Sequence, residues 1–299
     1  MKTKTHNRNA LFILCMMAYP VLQFLVFFVY VNINTVRMSF TYFDWAKGET
    51  VYGIKYYREF FYELVNMRQM KIALKNSLFV FLNSVFISQP LGIIFGYFVF
   101  KKIYGARVFK VIFFLPSIIS IVVLTMVYKY MLDPTVGPVA AIMRAFGAEE
   151  VPDFFMDSRY AFPLILLYCN WAGIGYSVLI TGGSMNRIPE EIIEYGKLEG
   201  IGMFRELVTV VVPLIWPMIS TSLVLSCTSV FTFFIQVQLI TQGAGDSATI
   251  AYVINSLVSG GSQNLEKAAA FGICCSLFAA PIIVIVKNVS ERFFADVSF

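Results

Sequence analysis

Charge is what this sequence has least of. Only 14% of its 299 residues are Asp, Glu, Lys or Arg, against about 25% in an average soluble protein. A chain so poor in charge cannot coat a soluble globule. It is not a disordered chain either, because disorder needs low hydrophobicity with high net charge. Histidine is nearly absent: His6 is alone, which argues against a His-ligated metal site or a histidine base. The five cysteines, Cys15, Cys169, Cys227, Cys274 and Cys275, form no CxxC pair and all lie in apolar runs. They read as small buried hydrophobes. No GxxxxGK[ST] phosphate loop occurs, so the chain brings no ATP-binding cradle. Neither is there a basic stripe of the kind that grips nucleic acid. No paired carboxylates or Ser–His pair mark the apolar segments, and no catalytic or metal-binding residue is assigned.

What is present in excess is apolar sequence, 58% of the chain. A spanning helix needs about 20 apolar residues. Six strongly apolar windows lack Asp, Glu, Lys and Arg: 9–36, 76–100, 111–128, 160–186, 207–245 and 268–286. They predict an all-α integral membrane protein with six spans at about 10–31, 76–100, 108–130, 160–183, 215–240 and 268–286. A domain of 10–286 then lies between an N-terminal segment 1–9 and a tail 287–299. The first apolar run is too long for a signal peptide and has no A-x-A-like cleavage site, so it reads as a retained span. Pro213 and Pro217 divide the fifth window into a lead-in segment and the span proper. A further charge-free stretch, 247–265, is too rich in Ser, Gly and Asn for lipid and reads as an extramembrane or re-entrant helix.

An even span number puts both termini on one side. The short loops there carry Lys101, Lys102, Arg107 and Lys110 in one cluster, which favours that side as cytoplasmic. The long outward loop 32–75 mixes aromatic and charged residues. It reads as an interfacial amphipathic helix or as a docking surface. The inward loop 184–213 is more informative. Glu190 and Glu191 follow Pro189 into a helix start, Gly196, Gly200 and Gly202 interrupt the helical pattern, and Gly200 suits a left-handed helix stop. A second helix from near Gly202 runs into Pro213. Ile201, Met203 and Phe204 are left exposed at the bend, and exposed apolar residues there call for a partner.

The frame IPEEIIEYGKLEGIGMFRELVTVVVPLIWP resembles the EAA loop of ATP-binding-cassette (ABC) importer permeases. The agreement includes Ile188, Pro189, Glu190, Glu194, Gly200, Leu214, Pro213 and Pro217, while Tyr195 and Gly196 stand for the two alanines and Glu199 for aspartate. Asn76-Ser77, FFLPSII at 113–119, DPTVG at 133–137, TQGAG at 241–245 and LEKAAAFGI at 265–273 are similar to segments of the carbohydrate branch, which includes maltose and glycerol-phosphate permeases. The resemblance implies a type I importer permease of a bacterial or archaeal cytoplasmic membrane, with both termini cytoplasmic. It implies a second permease subunit, two ATPase subunits that use ATP and Mg, and an extracytoplasmic sugar-binding protein. This chain itself would bind no cofactor. The ATPase-coupling residues implied are Glu194, Leu198, Glu199, Gly200, Met203 and Phe204.

For the pathway, Ser222, Ser226, Ser229, Phe233 and Gln236 recur at heptad-like spacing and predict one polar helix face, by which Ser and Thr also pack helices together. The fourth span offers Asn170, Trp171, Gly173 and Tyr176, an aromatic and hydrogen-bonding set suited to sugar or equally to packing. By position, the family's sugar contacts fall on Cys169, Ala172, Gly173, Tyr176, Ser226, Ser229 and Val230. The cargo expected is a di- or oligosaccharide; a polyol or glycerol phosphate is the alternative, and an ATP-independent carrier a more distant one. A phosphorylated cargo would call for cations in the pathway, and an ion-driven carrier for a mid-membrane acid. The six charge-free windows hold neither.

Overall fold

The computed structural model describes residues 2–44, 48–260 and 264–293, with side chains described from Phe12 to Arg292. The basic residues Lys2, Lys4 and Arg8 and the end of the C-terminal tail, 294–299, therefore lie outside the described side chains. The elements are α1 (Phe12–Ser39), a hairpin β1 (Thr41–Asp44) and β2 (Glu49–Tyr52), α2 (Lys55–Asn66), α3 (Arg68–Phe100), α4 (Ala106–Ile118), α5 (Ile121–Met131), α6 (Pro138–Ala145), α7 (Ala161–Met185), α8 (Glu190–Leu198), α9 (Met203–Leu214), α10 (Trp216–Thr232), α11 (Ile235–Ile240), α12 (Ile250–Ser259) and α13 (Leu265–Phe293). Four of these, α1, α3, α7 and α13, are each long and apolar enough to cross a membrane. Two bent pairs, α4–α5 and α9–α10, have the length and composition of one crossing each, and six spans follow if each pair is one.

The backbone contacts divide into two units. The first, Met1–Leu64 with Ser256–Cys275, holds α1, the hairpin, α2 and the start of α13. The hairpin pairs Thr41 with Tyr52 and Asp44 with Glu49, a short departure from the all-α expectation within the loop 32–75. Phe60 packs edge-on to Phe271 at 5.0 Å. Lys267 Nζ meets Glu59 at 2.6 Å and the buried Glu63 at 2.8 Å, so the cation at the start of α13 lies between two carboxylates.

The second unit, Val65–Asn255 with Ser276–Phe299, contains the remaining helices. Its tightest packing is α3 against α7, made possible by small residues. A side chain on Gly92 would strike Ser177 Cβ at 2.7 Å, and one on Gly96 would overlap Thr181. Thr181 Oγ1 donates to Gly92 O at 2.8 Å. Close approach through small residues is how helices associate where lipid removes the hydrophobic drive. Gly96→Leu is therefore expected to lower the stability of the detergent-solubilised protein by about 1–3 kcal/mol through overpacking. Gly183→Ala, where no atom lies within 4 Å of the added methyl, is the control. A thermal-unfolding midpoint equal in the two variants would refute this packing role.

Two stretches read as single helices are broken. The segment 108–130 is α4 and α5, bent by 102°. Pro116 lies inside α4 and removes a backbone donor, and Ile119 and Ser120 take extended conformations with ψ of 140° and 133°. The segment 215–240 ends its helix at Thr232, and Phe233 at ψ 96° separates α10 from α11. Thr249 Oγ1 donates to the freed Phe233 O at 2.6 Å, a tertiary bond that local sequence does not reveal. Phe233 and Gln236 consequently leave the helical stripe expected for Ser222, Ser226 and Ser229.

Candidate functional site

The loop 184–213 forms helix, turn, helix. Pro189 precedes α8 in an extended conformation. Glu190 and Glu191 occupy its first turn and Lys197 its last, each complementing the helix dipole. The stop is a Schellman motif: Gly200 N donates to Lys197 O at 3.1 Å and Ile201 N to Gly196 O at 3.1 Å. Gly200 sits at φ +70°, where a side chain is strained. Gly196, read above as an interruption, lies inside α8 and supplies that acceptor. Gly202 then begins α9 in an extended conformation, and Ile215 marks a 75° bend into α10, with Pro217 in its first turn.

One face of this loop is anchored. Ile193, Leu207, Val211 and Ile215 join Tyr97, Met185, Ile188 and Ile219 in a buried cluster. Beside it, Glu206 is 2% exposed. Its carboxylate takes an ion pair from Lys101 at 2.5 Å and a hydrogen bond from Tyr97 Oη at 3.1 Å. The opposite face is bare: Leu198 is 83% and Phe204 79% exposed, and Met203, Glu194 and Glu199 are exposed too. All six residues expected to couple thus sit on the outer side of α8, the turn and the start of α9. The Lys101–Glu206–Tyr97 contact was missed because its partners are far apart in sequence. The sole local signal is an acid, Glu206, directly before an apolar run.

The expected pathway residues separate into groups. Asn170 and Ser226 are both tied to one turn of α3. Asn170 Nδ2 donates to Asn83 Oδ1 at 3.0 Å, while its Oδ1 accepts from Ser88 Oγ at 2.5 Å and from Asn83 Nδ2 at 3.2 Å. Ser226 Oγ lies 2.8 Å from Ser84 Oγ. Residues Ser84–Ser88 form a π-helical turn, a distortion frequent at functional sites. Ser226 also donates to Ser222 O at 2.9 Å, and Ser229 Oγ donates to Ser226 O at 2.6 Å. Trp171 instead stacks near Tyr128, 6.4 Å between rings at 28°. Gly173 and Tyr176 are exposed, and Gln236 lies on α11. Asn83, Ser84, Ser88 and Gln89 were not singled out in the sequence. The polar residues of NSVFISQ inside an apolar span were the available signal. In the loop after α5, Asp133 caps its own turn through Thr135 Oγ1, Val136 N and Thr135 N, and these bonds, that to the Thr135 hydroxyl first, hold its carboxyl below the usual range.

A chain from the crystal structure of a bacterial ABC transporter involved in the import of the acidic polysaccharide alginate shares the fold, with a TM-score of 0.83 over 98% of this chain and 99% of that one at 19% identity. The sequence profile for binding-protein-dependent transport system inner membrane components matches residues 88–296, and the chain belongs to that family. It is accordingly a multi-pass, non-catalytic permease subunit of the cytoplasmic membrane, in a class of transporters whose ATP hydrolysis belongs to partner subunits. The "Probable ABC transporter permease protein YurN" of Bacillus subtilis (strain 168) is 26% identical over 77% of this chain and 79% of its own length. The maltose/maltodextrin transport system permease protein MalF of Shigella flexneri is 23% identical over 68% of this chain, which spans 42% of that relative.

Proposed function

We propose that this chain passes a neutral di- or oligosaccharide, delivered by an extracytoplasmic binding protein, into the cytoplasm. In this reading it pairs with a second permease subunit and two ATPase subunits, and both termini face the cytoplasm. The observation that carries the proposal is the Schellman turn at Gly200, which leaves Leu198, Met203 and Phe204 bare on the face opposite the one packed into the buried cluster. An ATPase cleft that receives these side chains would move α8 and α9, and through the buried cluster and the Lys101–Glu206 pair it would move α3.

The turn of α3 at Ser84–Ser88 is the proposed point of passage. Its groups are hydroxyls and neutral amides, Asn83, Ser84, Ser88, Asn170 and Ser226. When α3 parts from α7 and α10, sugar hydroxyls replace the Asn–Asn and Ser–Ser bonds one for one, so no buried polar group is left unpaired. This chemistry suits a neutral polyhydroxyl cargo, and relatives named for maltodextrin and alginate support a carbohydrate. The test is co-expression with ATPase and sister-permease subunits, followed by vesicle assays of ATP hydrolysis with maltodextrins and other sugars. Wild type should retain the ATPase and respond to a sugar-loaded binding protein, and Asn170→Ala should raise the sugar concentration needed about tenfold, the cost of one such bond. An unchanged response in Asn170→Ala would sink the pathway, and failure of wild type to hold any ATPase would sink the coupling.

A further inference from the structure

An apolar slot opens between the end of α3 and the start of α4. Its volume is about 250 Å³, and its walls are Phe95, Phe98, Val99, Ile103, Phe109 and Phe113. Phe95 and Phe113 lie 4.7 Å apart, and Phe113 stacks on Phe109 at 6.3 Å. Ala106, Val99 and Ile103 also line an adjoining cavity of about 610 Å³, whose rim carries Lys102, Arg107 and Lys110. These three cations are exposed. Among the described residues no ion pair engages them, whereas their neighbour Lys101 is spent on Glu206. Tyr104 on the same rim is fully exposed.

An aromatic-walled slot that continues into a pocket of unpaired cations, at the end of a spanning helix, has the two-part chemistry of an anionic phospholipid. The slot's walls are apolar and suit an acyl chain; the rim follows directly on Phe100, where the apolar helix α3 ends, and Lys and Arg at such a position attract acidic headgroups. A zwitterionic lipid also brings a phosphate, but its quaternary ammonium is repelled by the same three cations, so a net anionic headgroup is favoured. We infer that this corner binds one anionic phospholipid, with the phosphate on Lys102, Arg107 and Lys110 and an acyl chain among Phe95, Phe109 and Phe113. The inference rests on the membrane location of the chain and not on the coupling or cargo proposed above.

The experiment uses the full chain, both alone and with its partner subunits, delipidated in detergent. Native mass spectrometry reads retention of dioleoylphosphatidylglycerol against dioleoylphosphatidylcholine, and a phosphatidylglycerol with a photoreactive acyl chain maps the contact. Phosphatidylglycerol should be retained preferentially and crosslink to Phe109 or Phe113. Neutralising Lys102, Arg107 and Lys110 to Gln should weaken it on the order of 100-fold. Ala106→Trp, which leaves every charge in place, should abolish the acyl crosslinks. Equal retention of both lipids, wild-type affinity in the triple variant, full displacement by millimolar glycerol phosphate, or exclusion of lipid from the assembled complex would each overturn the inference.

Discussion

Phe204→Asp, together with Met203→Asp, is expected to abolish retention of the ATPase partner while the permease stays folded in the membrane. The reasoning begins with the two faces of the loop. Folding depends on the buried face, where Ile193, Leu207 and Val211 pack and Glu206 pairs. Phe204 is 79% exposed, so its replacement removes little of that packing. What it removes is an apolar anchor standing in water. Central anchors of an interface commonly cost about 2–4 kcal/mol when lost, a weakening of roughly 30- to 1000-fold. An introduced carboxylate adds desolvation to that cost in any apolar cleft. Affinity pull-down of tagged ATPase, with gel filtration to verify the folded permease, measures the effect. Wild-type retention in the double variant would mean that the bare residues face lipid or solvent and that coupling lies elsewhere.

Glu206→Gln should be as damaging, by a different route. Lys101 and Glu206 are both largely withdrawn from solvent, with side-chain exposures of 14% and 3%. Removing one partner of such a pair leaves the other charge buried and uncompensated, at about 3–5 kcal/mol. The Tyr97 hydroxyl would lose its carboxylate acceptor as well. Replacing both partners with apolar residues of similar size, Lys101→Met with Glu206→Leu, removes the charge problem together with the bond. It is expected to restore most of the stability. Because the pair joins the end of α3 to the first turn of α9, the rescued protein should fold but transmit ATP hydrolysis poorly into transport. Thermal unfolding and transport coupling, compared across the cycle of single and double variants, separate the two roles. A stability change below about 0.5 kcal/mol in Glu206→Gln, the size of a routine surface substitution, would show that the pair holds nothing in place.

The parts legible in advance share one property: their physics is local. Charge-free apolar windows near 76–100, 160–186 and 268–286 mark helices because a run of that composition has no other stable state in lipid. The Gly200 turn was readable because only a glycine sits comfortably at its positive φ, and the bend before α10 because Pro213 and Pro217 flank it. The alignment of Glu194, Leu198, Met203 and Phe204 on one bare edge follows from that single turn.

Other features were decided only when distant segments met. Whether 108–130 ran straight depended on extended residues at Ile119 and Ser120, and the break at Phe233 is closed by the hydroxyl of Thr249. That break is what removed Gln236 from the polar stripe. Asn170 and Ser226 were visible as polar groups in apolar spans, but the sequence could not say which groups they would meet. The π-turn of α3 supplies Ser84 and Ser88, with Asn83 directly before it, and so makes one site of two helices that share no local pattern. The Lys101–Glu206 pair is the plainest case. By itself the sequence determined that the chain lives in a membrane and where a coupling turn can form, because hydrophobic length and backbone conformation are properties of short segments. Only the tertiary structure decided which polar groups are paired and which side chains remain bare, because a buried charge or amide takes whichever partner the packing of distant helices brings within reach.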